Sequence, residues 1–426
     1  MKKRMISLVL ILMLTLGAMS YAFAAGTSQS GILSALKGDT VTISKDEYER
    51  LKKYEKLEEV YQYIQNYYYV EPDTDSMMEW AIQGMLTALE DPFTFYYTKE
   101  SWAEFWEMDA GEYAGIGIQL LGDYKTNVVT ISRVFKDTPA ERAGIRKGDV
   151  LKRVEDVSVN ATTMQDAVNI MRGTPDESVE VEVERRGEPI VFTISRAQIL
   201  VNWIEYTMLE NNVGYICLYE FSGNCYTALE AALSALKQQG ATALIIDLRD
   251  NPGGWVEDAL KIADLFLDKE MLFYSEDRNG KRDISYTKDG KDDIPLVLLV
   301  NEGSASSSEI LSGGLQDVGR AKLVGVKTYG KGIIQQMVSL SDQTDGIQFT
   351  IAQYYLPSGK AVHHIGVTPD IVLNMPEELV GEYFELGDMR DPQLATAWEE
   401  AVALRDHTPE PTSQPEPAAE AADNAA

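Results

Sequence analysis

Apolar residues along this chain change their spacing twice, and the changes divide it. From Lys45 to Tyr69, Leu51, Tyr54, Leu57, Val60, Tyr61 and Ile64 recur three and four positions apart among charges, the spacing of an amphipathic helix. A second helical run goes from Met77 to Leu89 and stops at Asp91-Pro92, because the residue before a proline is pushed out of helical backbone. Between Gly115 and Gln198 the period shortens to two. Strands are predicted over 116–120, 127–134, 149–154, 179–185 and 190–194, with short helices over 140–143 and 164–171. From Asn202 to Leu373 the two periods alternate: strands over 213–219, 243–247, 296–300 and 321–324, helices over 226–239, 255–267 and 306–316. Such alternation predicts a sheet with helices packed on it. A last helix over 393–404 precedes an Ala/Glu/Pro tail with too little apolar content to pack.

The pattern predicts a multidomain α/β chain: 1–25 an export signal, 26–44 a linker, 45–112 a helical region, 113–198 a β-rich domain, 199–406 an α/β core with its C-terminal helix, and 407–426 a disordered acidic tail. In the signal, Lys2, Lys3 and Arg4 precede the apolar run Met5 to Met19, and Ala22-Phe23-Ala24 supplies the small-x-small pattern that signal peptidase cuts after. The run is shorter than the roughly 20 residues of a membrane span. The body is therefore expected outside the cytoplasm, with an uncleaved anchor as the alternative.

Charge and cysteine content narrow the chemistry. A formal net charge of −29 argues against nucleic acid and anionic membranes as partners, since both are held by clustered Lys and Arg. Cys217 and Cys225 are the only cysteines, and Cys217 falls in a predicted strand, so both are expected as unpaired thiols. Two thiols without neighbouring histidines cannot complete a zinc shell, and no metal or other cofactor is expected.

Candidate chemistry lies in Gly303-Ser304-Ala305-Ser306-Ser307-Ser308-Glu309-Ile310, which opens a predicted helix, and in Gly330-Lys331-Gly332 downstream. Ser306-x-x-Glu309 by itself reads as a capping box. A serine at a helix N-terminus also meets free N–H groups and a partial positive charge, which favour an alkoxide and an oxyanion. Such a serine needs a base. His363 and His364 lie in a turn region and His407 by the tail, which disfavours a Ser–His–Asp arrangement and leaves Lys331. Its free pKa of about 10.4 would have to fall to roughly 7–8, about 4 kcal/mol, within the range that desolvating an amine supplies. The segment from Gly325 to Lys331 nearly spells a phosphate loop, but Gly332 replaces the Ser/Thr that holds magnesium. No His-Glu-x-x-His is present.

Taken together, several segments resemble the carboxyl-terminal processing (tail-specific) proteases of bacteria and chloroplasts. They are Gly84-Met85-Leu86 with Leu89-Glu90-Asp91-Pro92, Gly115-Ile116-Gly117-Ile118, Pro139 to Ile145 with Gly148-Asp149, Asp247 to Gly254, Gly303 to Asp317, Thr328 to Gly332 with Gln335, and Gly366 to Ile371. The resemblance implies an α/β protease core of the crotonase/ClpP-like type, with an inserted β-rich PDZ domain and an N-terminal helical segment. It implies a serine endopeptidase in which Ser306 is the nucleophile, Lys331 the base and Gln335 the residue that orients the lysine. The backbone N–H groups of Gly253 and Ser307 would form the oxyanion hole, with Gly254 as the alternative to Gly253. Gly115, Ile116, Gly117 and Ile118 would cradle a free C-terminal carboxylate as the peptide adds as a strand; two isoleucines there suggest ligands with apolar C-termini. Arg172 resembles a position through which a ligand-bound PDZ domain contacts the core. The aromatic N-terminal helices and the 393–404 helix are candidate homodimer surfaces. The natural substrate and any regulatory partner stay open, and an inactive extracytoplasmic PDZ scaffold is the alternative function.

Overall fold

The computed structural model describes residues 42–123, 126–288, 292–340, 343–379, 382 and 384–407. The predicted signal, nearly all of the linker and the tail from 408 lie outside the described residues. The chain divides into two units, Met1–Trp80 and Ala81–Ala426.

In the first unit, α1 (Lys45–Leu51) is capped by Ser44, whose Oγ accepts the Glu47 N–H at 3.1 Å. A 3₁₀ turn (Lys52–Tyr54) leads into α2 (Glu55–Tyr67), and the boundary between units falls within α3 (Thr74–Thr87). None of the residues of α1 or α2 is buried, and Leu51, Tyr54, Leu57 and Val60 are exposed.

The second unit opens with β1 (Phe95–Tyr97) and α4 (Lys99–Ala110), neither of which the periodicity predicts. Then come β2 (Glu112–Gly115), β3 (Ile118–Asp123), β4 (Val128–Val134), α5 (Pro139–Ala143), β5 (Val150–Val154), β6 (Val157–Ser158), α6 (Met164–Met171), β7 (Ser178–Arg185), β8 (Glu188–Ser195) and β9 (Ala197–Leu200). One sheet runs β3-β4-β5-β7-β8 with β6 on β5, and β2 pairs with β9, bringing the two ends of the segment together. In β4 and β7 every second residue is buried, as period two requires, around a core of Ile116, Ile131, Leu151, Val154, Val181 and Val183. A fork-to-fork pair fastens this core: Arg185 donates to both oxygens of Asp149 at 2.7 Å, and Asp149 is 1% exposed.

Downstream are β10 (Ile204–Leu209), β11 (Val213–Leu218), α7 (Cys225–Gln238), β12 (Ala243–Asp247), α8 (Val256–Asp264), β13 (Met271–Asp277), β14 (Arg282–Tyr286), β15 (Leu296–Val300), α9 (Ser307–Asp317), β16 (Lys322–Gly325), β17 (Ile333–Ser339), β18 (Gly346–Tyr355), β19 (Ile371–Val372) and α10 (Pro392–His407). The main sheet has the order β10-β11-β12-β15-β16-β19 and is parallel from β11 onward. All residues of β12 and β15 are buried, which is why they read as unbroken apolar runs. Leu229, Ile262, Phe266, Ile310 and Leu315 from α7 to α9 share one core with the sheet; Leu394, Ala397 and Ala401 of α10 share another with Ile245, Val297 and Leu299. A second, antiparallel sheet, β1-β18-β13-β14 with β17 on β18, carries the early strand β1 into the core. Among the described residues no helix is long and apolar enough to cross a membrane. Cys217 and Cys225 are free, and burial pushes both thiols up to about 12, so neither is a thiolate near neutrality.

Candidate active site

The parallel strands β12, β15 and β16 lie side by side, and the loop leaving the carboxyl end of each carries one of the motifs singled out above. Open α/β sheets bind ligands at that edge. Asn251, fully buried, ties two of the loops. Its Nδ2 donates to the Leu218 carbonyl at 2.8 Å, its Oδ1 accepts the Gly253 N–H at 2.9 Å, and its carbonyl accepts the Ala305 N–H and the Ser308 hydroxyl, both at 3.0 Å. Gly253 (φ +107°) faces the serine segment so closely that a Cβ there would stand 2.8 Å from Ser306 Cβ and 3.0 Å from the Ser307 nitrogen. Only glycine fits that position.

Ser306 is the N-cap of α9 and sits in the predicted capping box, with the Glu309 carboxylate accepting its N–H at 2.9 Å. Its backbone is unlike an ordinary cap: φ is +54° and ψ −115°, a region that costs a non-glycine residue about 1–3 kcal/mol and recurs at functional sites. Its carbonyl accepts the Tyr354 hydroxyl at 3.2 Å. The side chain is mostly enclosed, at 8% exposed for the residue.

Glu309 is more than a cap. Fully buried, it accepts four hydrogen bonds: Ser306 N–H (2.9 Å) and Lys331 N–H (2.8 Å) on Oε2, Gly330 N–H (2.7 Å) and the Thr328 hydroxyl (2.5 Å) on Oε1. Burial raises its pKa, and the four donors oppose the rise. Because the Ser306 and Lys331 amides share one oxygen, their nitrogens are no more than 5.7 Å apart, the two distances laid end to end. The loop after β16 is thereby fixed to the start of α9.

Lys331 Nζ rests 4.4 Å from the centroid of the Phe93 ring, and no hydrogen bond among the described residues joins it to Ser306 Oγ. Burial lowers its pKa from 10.5, opposed by the charges of Asp91 and Glu309. Gln335, on β17, donates to Thr350 Oγ1 at 3.2 Å, and no hydrogen bond among the described residues joins it to the lysine. For the oxyanion donors the geometry separates the two glycines. The Gly253 N–H is engaged by Asn251 Oδ1, whereas among the described residues those of Gly254 and Ser307 donate to no other group. Asp91, Phe93 and Thr350 are not among the site residues expected from the sequence, in which Asp91-Pro92 reads only as a helix stop and part of a family segment.

Of the proposed peptide cradle, Gly115, Ile116 and Gly117 are buried, and Ile116 at 2% exposed belongs to the PDZ-like core. Ile116 offers a ligand only its backbone; Ile118, half-buried on β3, is the apolar side chain of the four that is not fully buried. Arg172 reaches Glu107 of α4 (3.6 Å) and the Tyr113 ring (5.4 Å). From the same helix, Asp109 accepts the Trp255 indole N–H at 2.6 Å and Trp106 stacks on Trp255, the residue after Gly254. Further contacts join this domain to the core: Lys147 with Asp250 at 3.1 Å, Arg186 with Glu382 at 3.4 Å, and the buried Arg133, which donates to the Asn202 carbonyl and lies on the Tyr219 ring. No group of three or more His, Cys, Asp or Glu among the described residues is placed to hold a metal ion.

An α/β core that presents a helix-opening serine beside a glycine turn, with a small β-rich domain inserted ahead of it, defines the class as a PDZ-bearing serine hydrolase. Comparison with known proteins gives the family. Residues 212–373 match peptidase family S41, 130–185 match the PDZ domain, and 13–101 match the N-terminal domain of the activating protease CtpB. A carboxyl-terminal-processing protease of Synechocystis is 38% identical over 304 residues, covering 70% of this chain and 71% of that one. A probable CtpA-like serine protease of Staphylococcus aureus is 33% identical over 327 residues, which span 76% of this chain and 65% of the relative. Among solved structures, the photosystem II D1 C-terminal processing protease superposes with a TM-score of 0.57 at 31% identity, covering 80% of this chain and 92% of that one. The chain belongs to the carboxyl-terminal-processing serine proteases of family S41.

Proposed function

We propose that this protein is an exported endopeptidase that captures the C-terminal tails of proteins and cleaves peptide bonds with a Ser306–Lys331 dyad. The observation that carries the reading is the shared Glu309 oxygen, which brings the Ser306 and Lys331 backbones within 5.7 Å. A four-carbon side chain spans that gap once it swings from the Phe93 ring. The neutral amine takes the Ser306 proton, Oγ attacks the carbonyl, and the oxyanion meets the Gly254 and Ser307 N–H groups. The ammonium then protonates the leaving amine, and water, deprotonated by the same lysine, releases the acyl group. Substrate adds as a strand along β3, its carboxylate at Gly115 to Ile118 and an apolar terminal side chain against Ile118. Arg172, through Glu107 and α4, ties that event to Trp255 and the glycine turn. Gln335 orients the lysine in the aligned state.

The same proposal takes 1–25 as a cleaved signal, 113–198 as the PDZ domain and 199–406 as a crotonase/ClpP-like core. Casein degradation tests it. Ser306→Ala and Lys331→Ala each abolish turnover without unfolding the chain, and EDTA leaves activity intact. Retained turnover in Lys331→Ala would remove the base. Absence of any proteolysis in the parent would favour a scaffold. Tails captured by Ser306→Ala then report the substrate class.

A further inference from the structure

We propose that the Asp91-Pro92-Phe93-Thr94 turn is a third arm of the active site: Phe93 seats the charged Lys331 amine on its ring face, and Asp91 is the counter-charge that steadies the ammonium. The inference rests on Lys331 being the base.

The turn is built rather than loose. Asp91 Oδ1 accepts the Phe93 N–H at 2.9 Å, and Oδ2 accepts the Thr94 hydroxyl at 2.7 Å. Thr94 Oγ1 in turn accepts the Thr350 N–H at 3.1 Å, and the Phe93 carbonyl accepts the Gln348 amide at 3.1 Å. Since β1 pairs with β18 and β18 with β17, the turn is sewn to the sheet whose strand β17 begins two residues after Lys331. Gln335, also bound to Thr350, stands on the same scaffold. An ammonium 4.4 Å over a ring centroid is a cation–π contact.

The charges of Asp91 and Glu309 both act on Lys331, and among the described residues neither forms an ion pair with its amine. All four bonds to Glu309 come from the backbone around the site and the Thr328 hydroxyl, whereas Asp91 belongs to the turn that carries the ring under the amine, and its bonds to the Phe93 N–H and the Thr94 hydroxyl hold its carboxylate in that turn. Asp91 itself is kept ionised. Burial works against its charge, but Thr350, Thr94, the Phe93 N–H and Lys331 together hold its carboxyl below the ordinary range. His363, its ring tilted against that of His364, also feels the charge of Asp91. The dock therefore acts twice. In the free enzyme it competes with Ser306 for the amine, and during acylation it stabilises the ammonium formed when Ser306 gives up its proton. Both Asp91 and Phe93 are positioning residues.

The test titrates Lys331 directly: competitive acetylation of the folded chain across pH, read by mass spectrometry of the Lys331 peptide, alongside the pH profile of kcat/KM. Asp91→Asn should move both midpoints to lower pH and lower the high-pH kcat severalfold. Phe93→Leu should make the amine roughly two- to fivefold more reactive below the midpoint, the size of a partly exposed cation–π contact. Phe93→Tyr should restore the parent value. Phe93→Leu keeps the backbone bonds of the turn, so it carries the test if Asp91→Asn does not fold. Unmoved or raised labelling midpoints in folded variants, with Lys331→Ala inactive, would overturn the dock and leave the dyad standing. Turnover retained in Lys331→Ala would instead strike the dyad itself.

Discussion

Replacing Glu309 by glutamine changes one oxygen to an amide nitrogen and almost nothing in volume, yet its consequences should be large. Every partner of the carboxylate is a donor, two on each oxygen. A glutamine can keep Oε1 toward Gly330 N–H and the Thr328 hydroxyl, but its NH₂ then points at the N–H groups of Ser306 and Lys331. Two buried donors are left facing a third, at about 1–3 kcal/mol each, or roughly 2–6 kcal/mol together. The relief available is movement: the loop after β16 shifts away from the start of α9, and the lysine leaves the serine. Turnover should fall with stability. If Glu309 were an ordinary cap, only the Ser306 N–H bond would matter, at about 1 kcal/mol. Urea denaturation followed by tryptophan emission, to which the buried Trp102 and Trp203 contribute, together with kcat per folded molecule, separates the two cases. A Glu309→Gln protein within about 0.5 kcal/mol of its parent and fully active would refute the reasoning; one that loses stability but not turnover would reduce Glu309 to a cap.

Gly253→Ala should lower kcat at least about 100-fold with the fold retained, because its Cβ would intrude between the Ala305 carbonyl and Ser306 Cβ, displacing the turn that presents Gly254; steady-state kinetics on a tail peptide check this. Arg185→Met should destabilise the β-rich domain by about 3–5 kcal/mol by leaving the buried Asp149 unpaired, measured as loss of hydrogen-exchange protection confined to 113–198. Activity should rise with pH toward an inflection below 10.5: the base works neutral, and burial lowers the Lys331 pKa against the pull of Asp91 and Glu309. A pH–rate profile of the parent with no ascending limb below 10.5 would contradict it. Stability should fall as pH drops below about 4. Burial opposes ionisation of Asp250 and Asp317, but Lys147 and Asn301 for the first, and Ser358 and Lys360 for the second, hold both carboxyls low, so their contribution is present above the unfolded value and lost as they protonate. A denaturation midpoint flat from pH 6 to 3 would count against this.

What was legible in the sequence follows from the range of the forces involved. Strands buried on both faces announce themselves, and 243–247 and 296–300 were read with their observed ends; so was the helix 164–171. The second sheet was not, because β13, β14, β17 and β18 carry mixed burial with no single period, and β18 joins β1 and β13 across long intervals of chain. The same distinction runs through the site. Ser306, Glu309, Lys331 and the glycine turn are written as short motifs because each loop must be shaped locally. Which N–H remains free is decided by Asn251, a residue whose side chain reaches Leu218 across the sheet, and no local pattern reports that bond. Phe93 lies 238 positions before Lys331, and its meeting with the amine depends on β1 pairing with β18, a contact between the first and the next-to-last strand of the second unit. A motif thus names the groups able to react, while the long-range pairings of the sheet decide where the amine rests between turnovers.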